Sequence, residues 1–352
     1  MSKTLNFGFI GAGQISTWSA QCVNKHPQAN VLAAHDLNPV RLQELCESSG
    51  IPRACKTAEE LLADPEIDAV YIAVPNKFHA PLSIQALQAG KHVILDKPFA
   101  LSLAEAETVA AVARSAGKVF TLGMNQRFTK DAQKIKALVA TDQLGEIYHA
   151  KAYWLRREGI PRLGTWFGNK ELAGAGCLYD IGVHMLDLCL HLLDNFDPVS
   201  VSGATYTRFG NRGRGEGDWG KSDRTDIVFD VDDFATAFIR MRNGTTVSLD
   251  AAWACHTELK DRHGVTLFGS EAGACTHPAK LFRRNLVKEE YEVIEEVEAD
   301  ILYPHLDRFH NFINHLLSDE PLCVTIDQAL AVQRILDAIA ESSRTGREVV
   351  FA

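Results

Sequence analysis

A chain of 352 residues exceeds what one ordinary core organises, so two domains are expected, and 46% hydrophobic with 23% charged residues is the composition of a globular protein. The net charge of −9 argues against a phosphate-backbone binder, and no apolar run of roughly 18 residues is apparent, so neither nucleic acid nor membrane is an expected partner. The opening MSKTLNFGFI enters a strand-like run at once, leaving no room for a signal peptide. Eight cysteines lack metal-site spacing; Cys22, Cys46, Cys177 and Cys189 read as reduced core thiols of a cytoplasmic protein.

Residues 1–124 alternate apolar runs of strand length (5–10, 30–36, 69–74, 92–96, 118–123) with helical patterns such as 82–90 and 102–117. Gly90 and Gly117 close those helices as C-caps. This is the pattern of a doubly wound parallel sheet. The first strand leads into GAGQIS, where Gly11 permits a tight turn and Gly13 lets a pyrophosphate approach the next helix N-terminus, with Gln14 and Ile15 at the same turn. Ser16 stands at the third fingerprint position in place of Gly or Ala. Asp36 ends the second strand, where a carboxylate takes ribose hydroxyls and repels a 2′-phosphate, favouring NAD over NADP. Two more strand ends are polar: Pro75-Asn76 with His79, and Asp96-Lys97 before Pro98.

From residue 125 the pattern changes to long alternating strands at 146–156, 198–206, 232–242 and 245–255, the last two joined by Asn243-Gly244 as a type I′ hairpin. Residues 125–352 are therefore expected to be an α+β domain with an open, mainly antiparallel sheet. The apolar face in ATAFI and TVSL would support a homodimer or homotetramer. Helices within 305–345 are expected to pack back toward the first domain, and 208–226 to form a Gly-rich loop.

Between these strands, GAGCLYDIGVHMLDLCLHLL (174–193) is apolar nearly all round except for Asp180, His184, Asp187 and His191. Their spacing places them in a stripe roughly 60° wide on a straight helix. Asp180, His184 and Asp187 could hold a divalent ion, but no second cluster supplies the remaining ligands, so no metal is expected.

In this order and spacing, the GAG turn with Asp36, VPNKFH, DKP and GCLYDIGVHMLD resemble the motifs of the Gfo/Idh/MocA oxidoreductases over essentially the whole chain. Asp96 replaces the usual Glu before Lys97, and Gly174-Ala175-Gly176 the commoner triple Gly. The segment 154–176 looks like the sugar-oxidising branch, which includes the glucoside 3-dehydrogenases. The resemblance implies a Rossmann domain and catalytic roles for Lys97, Asp180 and His184. An imidazole is a natural base for a hydroxyl proton, a carboxylate one turn away can fix its tautomer, and a Lys can stabilise the developing oxyanion. The catalytic file is expected to face an interdomain cleft, with Lys97 opposite. Asn76, His79 and Gln126 would border the cofactor. Asp187 would anchor a sugar hydroxyl, and Arg127, Trp154, Arg156, Arg157 and Trp166 would line the pocket; His191 reads as structural. The expected activity is NAD-dependent oxidation of a secondary hydroxyl on a sugar, glycoside (C3 favoured) or cyclitol such as inositol. The Arg156, Arg157 and Arg162 cluster leaves a sugar phosphate or uronate open. A cofactor-binding regulator without catalysis, and transient oxidation before glycosidic cleavage, are the competing readings.

Overall fold

LNFGFI carries no charge, and its side chains are buried toward both faces of a sheet, as a central parallel strand requires. In the computed structural model, which describes residues 4–218, 228–299, 301–303, 305, 307–318 and 320–351, it is the first strand of one of two units. The first unit comprises 1–124 and 307–330, the second 125–306 and 331–352.

The first unit runs β1 (Leu5–Ile10), α1 (Gln14–Lys25), β2 (Ala29–His35), α2 (Pro39–Ser49), β3 (Arg53–Ala54) and α3 (Ala58–Ala63). It continues through β4 (Ala69–Ile72), α4 (His79–Gln88), β5 (His92–Leu95), α5 (Leu103–Ala116) and β6 (Phe120–Leu122). The six strands are all parallel, in the order β3-β2-β1-β4-β5-β6. Ser102 caps α5 by accepting from the Glu105 amide, and Gly117 ends it at φ 61°. α9 (Arg308–Leu317) belongs to this unit: Phe312 and Phe309 meet Phe7 and Tyr71 edge-on, at 6.1 and 5.1 Å between ring centroids.

The second unit contains α6 (Lys130–Ala140), β7 (Ile147–Arg156), α7 (Lys170–Ala173), α8 (Val183–Leu193), β8 (Pro198–Tyr206), β9 (Phe234–Met241) and β10 (Thr246–Ala252). Four further strands extend the sheet beyond those the alternation predicts: β11 (Asp261–Gly269), β12 (Ala272–Cys275), β13 (Lys280–Asn285) and β14 (Glu290–Ile294). With β15 (Val349–Val350) the order is β14-β13-β12-β11-β7-β10-β9-β8-β15, antiparallel except where β7 meets β10.

Several expectations need correction. The turn at Asn243-Gly244 is a three-residue loop, not type I′: Met241 N bonds Thr245 O at 2.8 Å, Gly244 has φ 92°, and Asn243 is not among the residues of positive φ. The face carrying Ala235, Ala237, Ile239, Val247, Leu249 and Ala251 is not open. Those side chains are buried, and the turn Leu178–Gly182 before α8 packs on β9 and β10, where a Cβ on Gly182 would meet that of Ala251 at 3.1 Å. The opposite face presents Thr236, Phe238, Arg240, Thr246 and Ser248, with Phe238 39% exposed.

α10 (Ile326–Thr345) does not simply follow α9: from residue 331 onward it belongs to the second unit, where the Gly203 and Thr205 amides each donate to Ser342 and Ser343 hydroxyls at 2.9 Å. Cys46 is only half-buried, whereas Cys22, Cys177 and Cys189 are buried. Lys170–Leu193 is long and apolar enough by composition to cross a membrane, contrary to expectation, but 89% of its apolar window is buried inside protein. Of the loop expected at 208–226, only 208–218 lies within the described residues; the amides of Arg208, Phe209 and Gly210 converge on the Asp233 carboxylate.

Candidate active site

In the first unit, β1 enters a turn that only glycine fits. Gly11 has φ 103°, and a Cβ there would lie 2.0 Å from the Ala73 carbonyl. Gly13 caps α1 with no side chain bonded across the helix start, and a Cβ on it would meet nothing within 4 Å. Gln14 and Ile15 are exposed beside this helix start, which has no side-chain cap. Ser16 suits its departure from the fingerprint, because its buried hydroxyl donates to Gly11 O at 2.7 Å and ties the turn. Asp36 is half-buried at the end of β2; its carboxylate accepts from the Ala12 amide at 2.6 Å and the Asn38 amide at 2.7 Å. A bare helix start, a close-approach glycine turn and a strand-end carboxylate fit the pyrophosphate and ribose of a dinucleotide.

The other strand ends are pinned together. Three residues past the end of β4, Pro75 precedes buried Asn76, and the buried His79 ring bonds Val74 O at 2.9 Å and Pro98 O at 2.7 Å. Burial pushes the His79 pKa down. Asp96 accepts from the Lys97 amide at 2.8 Å through one oxygen and from the Tyr71 hydroxyl at 2.5 Å through the other. Arg308 of α9 lies 3.5 Å from that second oxygen, donates to Gly123 O at 2.8 Å, and so spans the ends of three strands. Burial alone would raise the Asp96 pKa, but Arg308, Lys97 and the Tyr71 hydroxyl hold it below the ordinary carboxylate range. Lys97 itself is half-buried.

In the second unit, Asp232 grips the segment ahead of α8. It accepts from the Gly176 amide at 2.7 Å and the Leu178 amide at 2.8 Å, while a Cβ on Gly176 would fall 1.9 Å from the Asp232 carbonyl. Leu178–Gly182 then forms one π-helical turn before α8 begins. That wider turn breaks the straight-helix stripe: Asp180 sits on it, half-buried, with Oδ2 accepting from the Trp253 indole at 2.8 Å. His184 opens α8, its ring 5.9 Å from that of Trp154.

Asp187 does not extend the file toward a ligand. Both its oxygens accept from Arg127, at 2.8 and 2.6 Å, and neither side chain has exposed surface. This corrects the expectation that Asp187 anchors a sugar hydroxyl and Arg127 lines a pocket. It also removes Asp187 from any metal site, and among the described residues no three His, Cys, Asp or Glu side chains converge to hold a metal. His191 is buried, and burial pushes its pKa well down.

Trp154 lies against the His263 ring at 4.7 Å and the Arg156 guanidinium at 4.8 Å, with its indole N–H on Asp261. Arg156 also pairs with Asp261, at 3.2 Å, and Arg157 donates to the carbonyls of Thr257 and Glu258. Trp166 is half-buried and stacked on Phe167 at 3.9 Å. Gln126 has a buried side-chain oxygen with no hydrogen-bond partner among the described residues.

Residues 5–124 match the model of the oxidoreductase family with an NAD-binding Rossmann fold, and residues 132–275 match the GFO/IDH/MocA C-terminal domain. The chain belongs to the Gfo/Idh/MocA oxidoreductases. It is accordingly a nicotinamide-dependent oxidoreductase. This family member is 30% identical to D-glucoside 3-dehydrogenase of Escherichia coli (strain K12), over 99% of this chain and 98% of that one. It is 25% identical to myo-inositol 2-dehydrogenase of Thermotoga maritima, over 91% of each. Among solved structures, an NAD-binding protein from Listeria innocua superposes with TM-score 0.81 at 25% identity, covering 99% of this chain and 97% of that chain. Levoglucosan dehydrogenase in complex with NADH and levoglucosan does so with TM-score 0.83 at 21% identity, covering 99% of each and showing a shared fold.

Sequence motifs did not point to Asp232, Trp253, Tyr71 or Arg308. Only Asp232 carried a usable signal, as part of an Asp pair just before a strand.

Proposed function

We propose that this oxidoreductase uses NAD to oxidise a secondary hydroxyl of a neutral glycoside, with C3 of a pyranoside as the leading position. The observation that carries the reading is the end-to-end similarity to D-glucoside 3-dehydrogenase, 30% identical over 99% of this chain and 98% of that one. The commitment of Arg156 to Asp261 and of Arg157 to backbone carbonyls supports a neutral over an anionic substrate. Asp36 supports NAD over NADP, because a carboxylate at the ribose repels a 2′-phosphate. A cyclitol is the second reading, favoured by similarity to the inositol enzyme over 91% of the chain. Eight unpaired cysteines support a reducing, cytoplasmic setting. We assign a homodimer or homotetramer to the face around the exposed Phe238, rather than to the buried apolar face of β9 and β10.

The Gly11–Gly13 turn and Asp36 would hold the pyrophosphate and ribose of the dinucleotide, whose nicotinamide would supply the hydride acceptor. His184 takes the hydroxyl proton, and an imidazole suits that role near neutral pH. Asp180 orients the imidazole and the reacting hydroxyl, and the Lys97 ammonium donates to the reacting oxygen as charge develops on it. Asp96 holds the Lys97 backbone through its amide, and His79 holds the segment just after it. Arg127 and Asp187 act behind the site by fixing α8.

The test is a screen of NADH absorbance across alkyl and aryl glucosides, free aldoses, inositols and sugar phosphates, with identification of the ketone formed. Turnover of neutral glucosides to a 3-keto product is expected. Preferential turnover of inositols or sugar phosphates, or no reduced cofactor with any of them, overturns the reading.

A further inference from the structure

Trp253 follows β10 and has no exposed surface. Its backbone amide bonds Asp233 O at 2.9 Å, and its ring meets Phe167 and Phe229 edge-on, each at 6.4 Å. An indole N–H can only donate, so a buried one needs an acceptor. Here the acceptor is Asp180 Oδ2, at 2.8 Å.

Asp180 lies on the π-helical turn Leu178–Gly182, a local departure from α-helical register of the kind that often marks functional sites. We propose that Trp253 is the positioning residue for Asp180. The indole donates to Oδ2 and thereby fixes the rotation of the carboxylate. The edge contacts of Phe167 and Phe229 fix the indole in turn. Phe167 also stacks on Trp166, which joins this support to the 154–176 segment. The inference rests on the proposed assignment of Asp180 to the reaction.

Two replacements separate hydrogen bonding from packing. Trp253→Phe removes the donor and part of the ring, whereas benzothienylalanine at position 253 keeps the bicyclic shape and removes only the N–H. Both are assayed as the full-length enzyme with NAD and the glucoside that wild type turns over best. Loss of a hydrogen bond to a charged group is expected to lower kcat roughly tenfold or more. Kd for NAD should stay within about twofold, because the indole acts on Asp180 and not on the cofactor turn. The benzothienyl enzyme should keep the wild-type melting temperature, and adding either replacement to Asp180→Asn should lower kcat little further. An unchanged kcat in a folded benzothienyl enzyme overturns the inference, as does a raised KM with kcat intact. Wild type without NAD-linked turnover of any glucoside would instead defeat the underlying functional reading, and this inference with it.

Discussion

Arg127 grips Asp187 at both carboxylate oxygens, in a fully buried pair that also places the guanidinium 5.4 Å from the centroid of the Phe196 ring. Arg127 precedes α6 and Asp187 lies on α8 one turn beyond His184, so the pair ties the helix carrying the imidazole to the start of its own unit. Removing one partner leaves a buried charge uncompensated, which costs roughly 3–5 kcal/mol. Arg127→Met or Asp187→Leu alone should therefore lower the urea midpoint strongly, while the double variant should recover much of the loss. Equal losses for single and double variants would mean that packing, not charge pairing, is the contribution.

Acid stability should depend on Asp96. Its pKa is held below that of an unfolded Asp, so it stabilises the fold above the ordinary carboxylate range and loses that contribution as pH falls through the folded value. Arg308→Met removes the leading favourable charge beside it, and the acid-unfolding midpoint should move to higher pH. Tryptophan fluorescence across a pH series checks this; an unmoved midpoint would show that Arg308 does not set the Asp96 ionisation.

Cofactor choice should turn on Asp36. With the carboxylate gone in Asp36→Ala, discrimination against NADP should fall, read as the ratio of kcat/KM for the two cofactors. The same variant removes the acceptor for the Ala12 and Asn38 amides, so a lower melting temperature is expected alongside. An unchanged cofactor ratio would place the selectivity elsewhere.

Much of the fold is legible in local pattern. The strands of the first unit are short apolar runs buried on both faces, and the glycine turn states its own backbone requirement at Gly11. β13 and β14 are harder to read, because KLFRRN and EYEVI pair near a sheet edge where burial does not enforce alternation. The π-helical turn is not legible at all. It depends on Asp232, more than fifty residues away, gripping the Gly176 and Leu178 amides. The same distance hides the role of Asp187: a carboxylate in register with His184 looks like part of a reactive file until Arg127, sixty residues earlier, is seen to close on it. Asp180 is similar, since nothing in AAWAC announces that its Trp will donate to that carboxylate.

The central claim, that Lys97 and His184 carry the chemistry while the glycine turn and Asp36 hold the cofactor, is tested most directly by comparing turnover with cofactor affinity. NADH binding, followed by its fluorescence, should be nearly unchanged in Lys97→Ala and His184→Ala, while steady-state oxidation of the best glucoside should be abolished in both. Near-wild-type turnover in either variant would contradict the account.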